Sequence, residues 1–306
     1  MKILVTGASG QLGAYLLEEA AQLGHAVVGW SGARAERRGA VDLQPVDLAD
    51  LDAIDPALDR AAPAAIIHAA AISSAEAVRV DPDRAALVNV RATRRIAEWA
   101  ESRRRRFVFT STDLVFAGDR ALSREDDPAE PTLAYGRTKR AAEVAVVVHP
   151  VSAVLTDSTL TVARLPLLYG PSRCGRPSFF DRGIAALRRG EPQAFFADEY
   201  RTPLDLRSAA RGLIQLAASD VAGLIHLAGP ERLSRFELMT RAAAALGIDP
   251  GLVRANRRAD APGVEARPGD VSLATDRWRR LFPGQPWPTV EAALAGEEGR
   301  GSLGVV

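Results

Sequence analysis

Thr6-Gly7-Ala8-Ser9-Gly10-Gln11-Leu12-Gly13 is the stretch on which the fold turns. It lies between Lys2–Thr6, a β-branched apolar run that reads as a strand, and Gln11–Leu23, whose apolar spacing reads as a helix. Glycine at 7 permits a tight turn, glycine at 10 lets a ligand come close to the backbone, and glycine at 13 lets helix and strand pack closely. The free N–H groups that open a helix attract an anion. A glycine turn in that setting predicts a pyrophosphate cradle built from Gly7, Ser9, Gly10, Gln11, Leu12 and Gly13.

Outward from the turn, short strand-like runs alternate with helical stretches. Strands are expected at Ala26–Trp30, Val41–Val46, Ala64–His68, Arg106–Thr110 and Leu160–Leu165. Helices are expected at Leu51–Ala62, around Arg84–Ser102 and at Tyr135–Val147. The apolar runs lack polar alternation, as in strands covered on both faces. This is the pattern of an α/β fold with a doubly wound parallel sheet of the Rossmann type.

After Pro166 the pattern loosens, and Gly170–Pro177 and Arg188–Asp198 read as loops. A strand–helix–strand series resumes at Thr202–Leu206, Ser208–Ala217 and Gly223–Leu227, and a helix at Arg235–Leu246 follows a Ser234/Glu237 capping box. No long helix fits between Asp249 and Pro288. The expected division is a cofactor domain at 1–165 plus 202–227, a smaller mixed α/β substrate lobe at 166–201 plus 228–295, and a mobile tail at 296–306.

Composition narrows the function classes. The 306 residues are 47% apolar and 25% charged with net charge +1, so the chain builds a large core and offers no charge for nucleic acid or a membrane surface. The basic run Arg103–Arg106 reads as a solvated helix end. One cysteine, Cys174, excludes an internal disulfide, and no apolar run is long enough to span a membrane. The N-terminus enters a strand at once rather than a leader, so the expected compartment is the cytoplasm. No metal-ligand spacing appears among the four histidines and the cysteine.

The second strand ends at Ser31 with no acid at its tip to hold an NAD ribose, and Arg34, Arg37 and Arg38 follow. That substitution of positive charge for a carboxylate favours the 2′-phosphate of NADP(H), with NAD(H) as the second choice. Asp47 and Leu48, after the third strand, are placed to border the adenine, Asp47 having an ordinary helix N-cap as its other reading.

Tyr135-Gly136-Arg137-Thr138-Lys139 carries the chemistry. Lysine occurs only at 2 and 139 among 39 basic residues, so its use at 139 is a choice against arginine. Positions i and i+4 share a helix face, and both side chains reach one cavity. An ammonium beside a phenol, together with the positive charge of an oxidised nicotinamide, is expected to lower the phenol's pKa and make it a usable acid–base group. A hydroxyl that orients a carbonyl is expected from Thr112, with Ser111 as the fallback, at the end of the strand through Thr110.

These residues resemble an extended short-chain dehydrogenase/reductase. Thr6–Gly13 matches the cofactor turn, His68-Ala69-Ala70-Ala71 the fourth-strand motif, Asn89 a supporting helix asparagine, and Tyr135/Lys139 the catalytic pair. Ser111–Gly118, Tyr135–Lys139, Gly223–Asp249 and Asp270-Val271-Ser272-Leu273 are most similar to the dTDP-4-dehydrorhamnose reductase branch. The resemblance implies cofactor contacts at Ala69, Ala70 and Ala71 and hydride transfer to a keto carbon while Tyr135 protonates the oxygen, Thr112 orients it and Lys139 holds the ribose. It also implies a nucleotide sugar, a 4-keto-6-deoxy sugar first, as substrate, with Ser111, Asp113, Phe180 and Arg201 as candidate contacts, a structural ion pair being the other reading of Arg201 and a core position that of Phe180. Related extended reductases often form homodimers. Leu114 stands where the related dehydratases carry glutamate, which removes the base for water elimination. No tryptophan follows Arg164-Leu165-Pro166, where the dehydrorhamnose reductases commonly have one. Two other readings are a non-catalytic regulatory subunit, like the beta subunit of methionine adenosyltransferase, and a sugar-nucleotide epimerase.

Overall fold

The computed structural model describes residues 1–32, 34–147, 158–260, 265–284 and 287–298. In chain order the first half comprises β1 (Lys2–Thr6), α1 (Gln11–Gln22), β2 (Ala26–Ser31), β3 (Glu36–Arg38), β4 (Val41–Pro45), α2 (Leu51–Ala61), β5 (Ala65–His68), α3 (Ala75–Val80), α4 (Pro82–Ala86), a π-helical turn (Leu87–Arg91), α5 (Ala92–Ser102), β6 (Arg106–Thr112) and α6 (Ala134–Val147). The second half comprises β7 (Leu160–Leu165), β8 (Leu168–Tyr169), α7 (Phe179–Arg188), β9 (Gln193–Phe196), β10 (Tyr200–Arg201), β11 (Leu204–Asp205), α8 (Leu206–Ala217), β12 (Gly223–His226), β13 (Leu233–Ser234), α9 (Arg235–Ala245), β14 (Val253–Asn256), α10 (Asp276–Leu281) and α11 (Val290–Glu298).

Eight strands form one sheet in the order β12-β7-β6-β5-β1-β2-β4-β3. Every pairing in it is parallel except the β3–β4 hairpin at the edge. Successive strand residues divide between two cores, which is why the runs show no polar alternation. Ile3, Val5, Ile67 and Val108 pack with α1 and α8, whereas Leu4, Ile66, Phe107 and Phe109 pack with α2, α5 and α6. A separate core, built from Tyr169, Ile184, Leu238, Met239 and Val253, lies under α7, α9 and β14.

The chain builds β2 and β4 on one side of β1, then crosses to lay β5 on the other, with Thr6 opposite His68. Open α/β sheets bind ligands at such a reversal, beyond the carboxyl ends of the strands. Gly7 lies there with φ +68°, and a Cβ on it would come within 2.8 Å of the Ala70 backbone. Only glycine meets both conditions.

Several elements differ from the sequence reading. The helix expected around Arg84–Ser102 is broken into α4, the π-helical turn and α5, a break often found beside functional sites. Arg188–Asp198, read as a loop, contains β9, which pairs in parallel with β14 from the region where no long helix fits. The edge hairpin β3–β4 was also not expected, and it pairs Arg38 with Glu36 and Arg37 with Asp42, so those arginines supply no free positive field. The tail expected to begin at 296 is helical through Glu298, with Glu297 held by Arg207, and 299–306 lie outside the described residues.

Candidate active site

A cleft of about 630 Å³ opens over the carboxyl ends of β1, β2, β4 and β5. Gly7, Ser9, Gly10, Gln11, Leu12 and Gly13 line it at the turn. Ser31, Asp47 and Leu48 line it to one side and Ala69, Ala70 and Ala71 to the other. Tyr135 and Lys139 from α6 close its far wall. Gly10 caps α1 without a side-chain hydrogen bond, and the first turn carries no acid, so the opening N–H groups are available to an anion. The uncapped turn at the head of this cleft thus fits the diphosphate of a dinucleotide.

The position of α6 follows from Gly136. A Cβ there would come within 2.1 Å of the Leu114 carbonyl, so only glycine allows α6 to lie against the turn after β6. Asn89, in the π-helical turn, fixes the same helix from the other side. Its Oδ1 accepts from the Ile72 N–H at 2.8 Å, and its Nδ2 donates to the Ile72 carbonyl and to Thr138 Oγ1, each at 3.0 Å. One side chain therefore ties the loop after β5 to the helix that carries Tyr135 and Lys139.

His68 is fully buried between Thr6 and Thr93. Thr93 spends its hydroxyl proton on the Asn89 carbonyl at 2.8 Å, so His68 Nε2 must donate to Thr93 and Nδ1 must accept from Thr6. Burial, with Lys139 adding to it, holds the imidazole down at about 3, so it is a neutral structural link.

Lys139 is buried, with Nζ 4.0 Å from the centre of the Phe109 ring. Burial pushes its ammonium down to about 7, against an upward pull from Glu143 one helical turn on. Glu143 is itself held by Arg164, through contacts of 2.9 and 2.8 Å, and by the Ser111 hydroxyl at 2.6 Å. Glu143 thus favours the protonated form of Lys139. Replacing Glu143 by Gln keeps its acceptor oxygen but removes the charge, so Lys139 should lose its proton at lower pH. The basic limb of the kcat/KM profile for the cofactor should then move down by roughly one pH unit. An unmoved limb would contradict that role.

Other sequence-derived assignments need correction. Burial raises the Tyr135 phenol, and the Asp113 carboxylate adds to the rise, so Lys139 by itself does not bring the expected lowering. Tyr135 is instead a firmly protonated phenol. Thr112 is not on the cleft wall: its hydroxyl donates to Asp113 at 3.1 Å and accepts from the Leu114 N–H at 3.2 Å. It can serve a carbonyl only by rotating away from Asp113. Ser111 is committed to Glu143 and is no substitute.

Asp113 is fully buried, and both its oxygens accept from Arg201 Nη1 at 2.8 Å. Arg201 is 5% exposed and also meets Glu199, so this pair is internal rather than a contact surface for substrate. Phe180, 1% exposed, packs in the core under α7 against Tyr169 and likewise faces no substrate. Arg34 is off the cleft wall, and its carbonyl accepts from Ser31 at 2.6 Å. Asp47 takes the Ala49 N–H at 2.9 Å, and the cap of α2 is Asp50.

The sequence reading missed Arg84 and Arg176 on the cleft wall, together with Trp30 and Thr110. Arg84 stands 3.6 Å from Asp47. Both arginines are brought to the cleft from segments remote from the glycine turn, and no local motif marks either.

The doubly wound sheet, the glycine turn and the Tyr–Lys helix define an extended short-chain dehydrogenase/reductase. The family model described as RmlD substrate binding domain matches residues 1–295, and the chain belongs to that family. It is 33% identical over 293 residues to a probable dTDP-4,6-dihydroxy-2-methyloxan-3-one 4-ketoreductase of Streptomyces antibioticus, covering 94% of this chain and 92% of the relative. It is 28% identical over 297 residues to the methionine adenosyltransferase 2 subunit beta of Bos taurus, covering 94% and 84%. A crystal structure of a hypothetical dTDP-4-dehydrorhamnose reductase from Sulfolobus tokodaii superposes with a TM-score of 0.80 at 26% identity, covering 95% of this chain and 99% of that one.

Proposed function

We propose that this chain is an NADPH-dependent reductase of a nucleotide-linked 4-keto-6-deoxy sugar. The observation that carries the reading is that Tyr135 and Lys139 share one cleft with the glycine turn. When bound, the reduced nicotinamide supplies the hydride for the keto carbon. Tyr135, raised above its ordinary range and so protonated, gives its proton to the developing alkoxide. Lys139, held by the Phe109 face and supported by Glu143, stabilises the phenolate left behind and bonds the ribose. Leu114, where a dehydratase base would stand, leaves simple reduction as the outcome.

Ser31 rather than an acid closes β2, which favours NADP(H) over NAD(H), and Arg84 on the same side is paired with Asp47 at 3.6 Å. Among the described residues no helix is long and apolar enough to cross a membrane, and Cys174 is buried and free. Both fit a cytoplasmic enzyme. The reading is tested by following NADPH oxidation across a panel of dTDP- and UDP-linked 4-keto-6-deoxy sugars, with turnover on at least one expected. The likeness to the methionine adenosyltransferase subunit favours a second reading, a cofactor-binding regulatory subunit. Tight NADPH binding with no turnover on any ketone would select it.

A further inference from the structure

We infer that Arg176, delivered from the loop between β8 and α7, is the clamp on the cofactor's diphosphate. The inference rests on the cleft holding a dinucleotide, and it adds a residue remote from the glycine turn.

Three cations line the cleft: Arg84, Lys139 and Arg176. Arg84 faces Asp47 on the adenosine side, and Lys139 is buried over Phe109 beside Tyr135. Arg176 alone meets the turn itself. Its Nη2 donates to the Ser9 carbonyl at 2.7 Å, while its own carbonyl accepts from Gln11 Nε2 at 2.5 Å. It forms no ion pair with any described residue, in a chain where most neighbouring arginines are matched to carboxylates. A guanidinium has five N–H donors in a planar fork suited to two phosphate oxygens, and here one of them is occupied by a neutral carbonyl. Exchanging that bond for a charged one requires only a small movement of an exposed side chain.

The loop is held in place for the task. Ser172 donates its hydroxyl to the Arg176 carbonyl at 2.8 Å and its N–H to Asp181 at 2.8 Å. Tyr15 of α1 donates to the Pro171 carbonyl at 2.9 Å, and Arg173 pairs with Glu18 and Glu297. Asp181 also completes the capping box that starts α7. A rigid strap therefore runs from the phosphate turn into the second lobe, with one unpaired cation at its crossing point.

Calorimetric titration of the whole chain with two ligands tests this. NADP⁺ carries the diphosphate, whereas adenosine 2′-phosphate keeps the adenosine and its phosphate but lacks it. Arg176→Ala should weaken NADP⁺ binding roughly ten- to hundredfold, the equivalent of one charged hydrogen-bonded contact. Adenosine 2′-phosphate should bind as before, and Arg176→Lys should recover part of the loss. An unchanged NADP⁺ affinity, or an equal loss for both ligands with the melting temperature preserved, would overturn the clamp. Failure of the unsubstituted chain to bind NADP⁺ would overturn the cleft reading, and the clamp with it.

Discussion

Replacing Tyr135 by phenylalanine is expected to lower kcat by about 10²- to 10⁴-fold, the usual worth of a positioned general acid. The ring still fills its place on the cleft wall, and Gly136 still seats α6 against the Leu114 carbonyl. NADP⁺ affinity should therefore change little. The separation of kcat from binding is the informative part, because a structural tyrosine would lower both. The raised phenol also sets a direction: Tyr135 is protonated across the neutral range and favours ketone reduction. The basic limb of the activity profile should accordingly follow Lys139, which burial holds at about 7, and activity should fall as pH rises through its pKa. Turnover unchanged in Tyr135→Phe would remove the proton-transfer role.

The second large effect concerns stability. Arg201→Met should destabilise the protein by about 3–5 kcal/mol, because one member of a buried pair then stands alone. Glu199 keeps Arg235 at 3.0 Å, so the loss falls on Asp113, whose remaining partner is the Thr112 hydroxyl. Burial already lifts Asp113 above the ordinary carboxylate range, against the pull of Arg201. Without that pull the folded-state pKa rises further. Between the unfolded and folded values the folded state holds the proton that the unfolded state has lost, so stability falls as pH rises through that window. The deficit should be largest near neutral pH and shrink on acidification, and Asp113→Asn should relieve it in the double variant. Thermal melts of the four proteins across pH 5 to 8 would measure this. A raised KM with an unchanged melting temperature would instead restore Arg201 as a substrate ligand.

What could be read from sequence was whatever chemistry writes into short spacing. The turn at 6–13 needs glycines at fixed offsets, and Tyr135 and Lys139 need one helical turn, so both stand out from residues alone. The apolar runs of β1, β5, β6 and β7 are similarly explicit, because each face meets its own core. What depended on distant partners did not show. Ser111, Thr112 and Asp113 sit together at a strand end, yet each hydroxyl or carboxylate is turned by a residue 32 or more positions away or by its immediate neighbour: Glu143, Asp113 and Arg201 respectively. The direction of the Tyr135 shift is not legible for the same reason, since burial and the Asp113 carboxylate both raise the phenol and burial has no local signature. Arg34 stands out in sequence because it follows the acid-free tip of β2, whereas Arg84 and Arg176 reach the cleft from segments with no such mark. The strands β9 and β14 were invisible as isolated four-residue segments, each defined only by pairing with the other.

The central claim, that the phenol and ammonium of α6 meet a dinucleotide laid across the glycine turn, is tested most directly by a crystal structure of the complex with NADP⁺. The account predicts the diphosphate at the opening N–H groups of α1 and the nicotinamide C4 within roughly 3–5 Å of the position a carbonyl would occupy beside Tyr135 Oη. A dinucleotide lodged elsewhere, or a nicotinamide turned away from Tyr135 and Lys139, would contradict it.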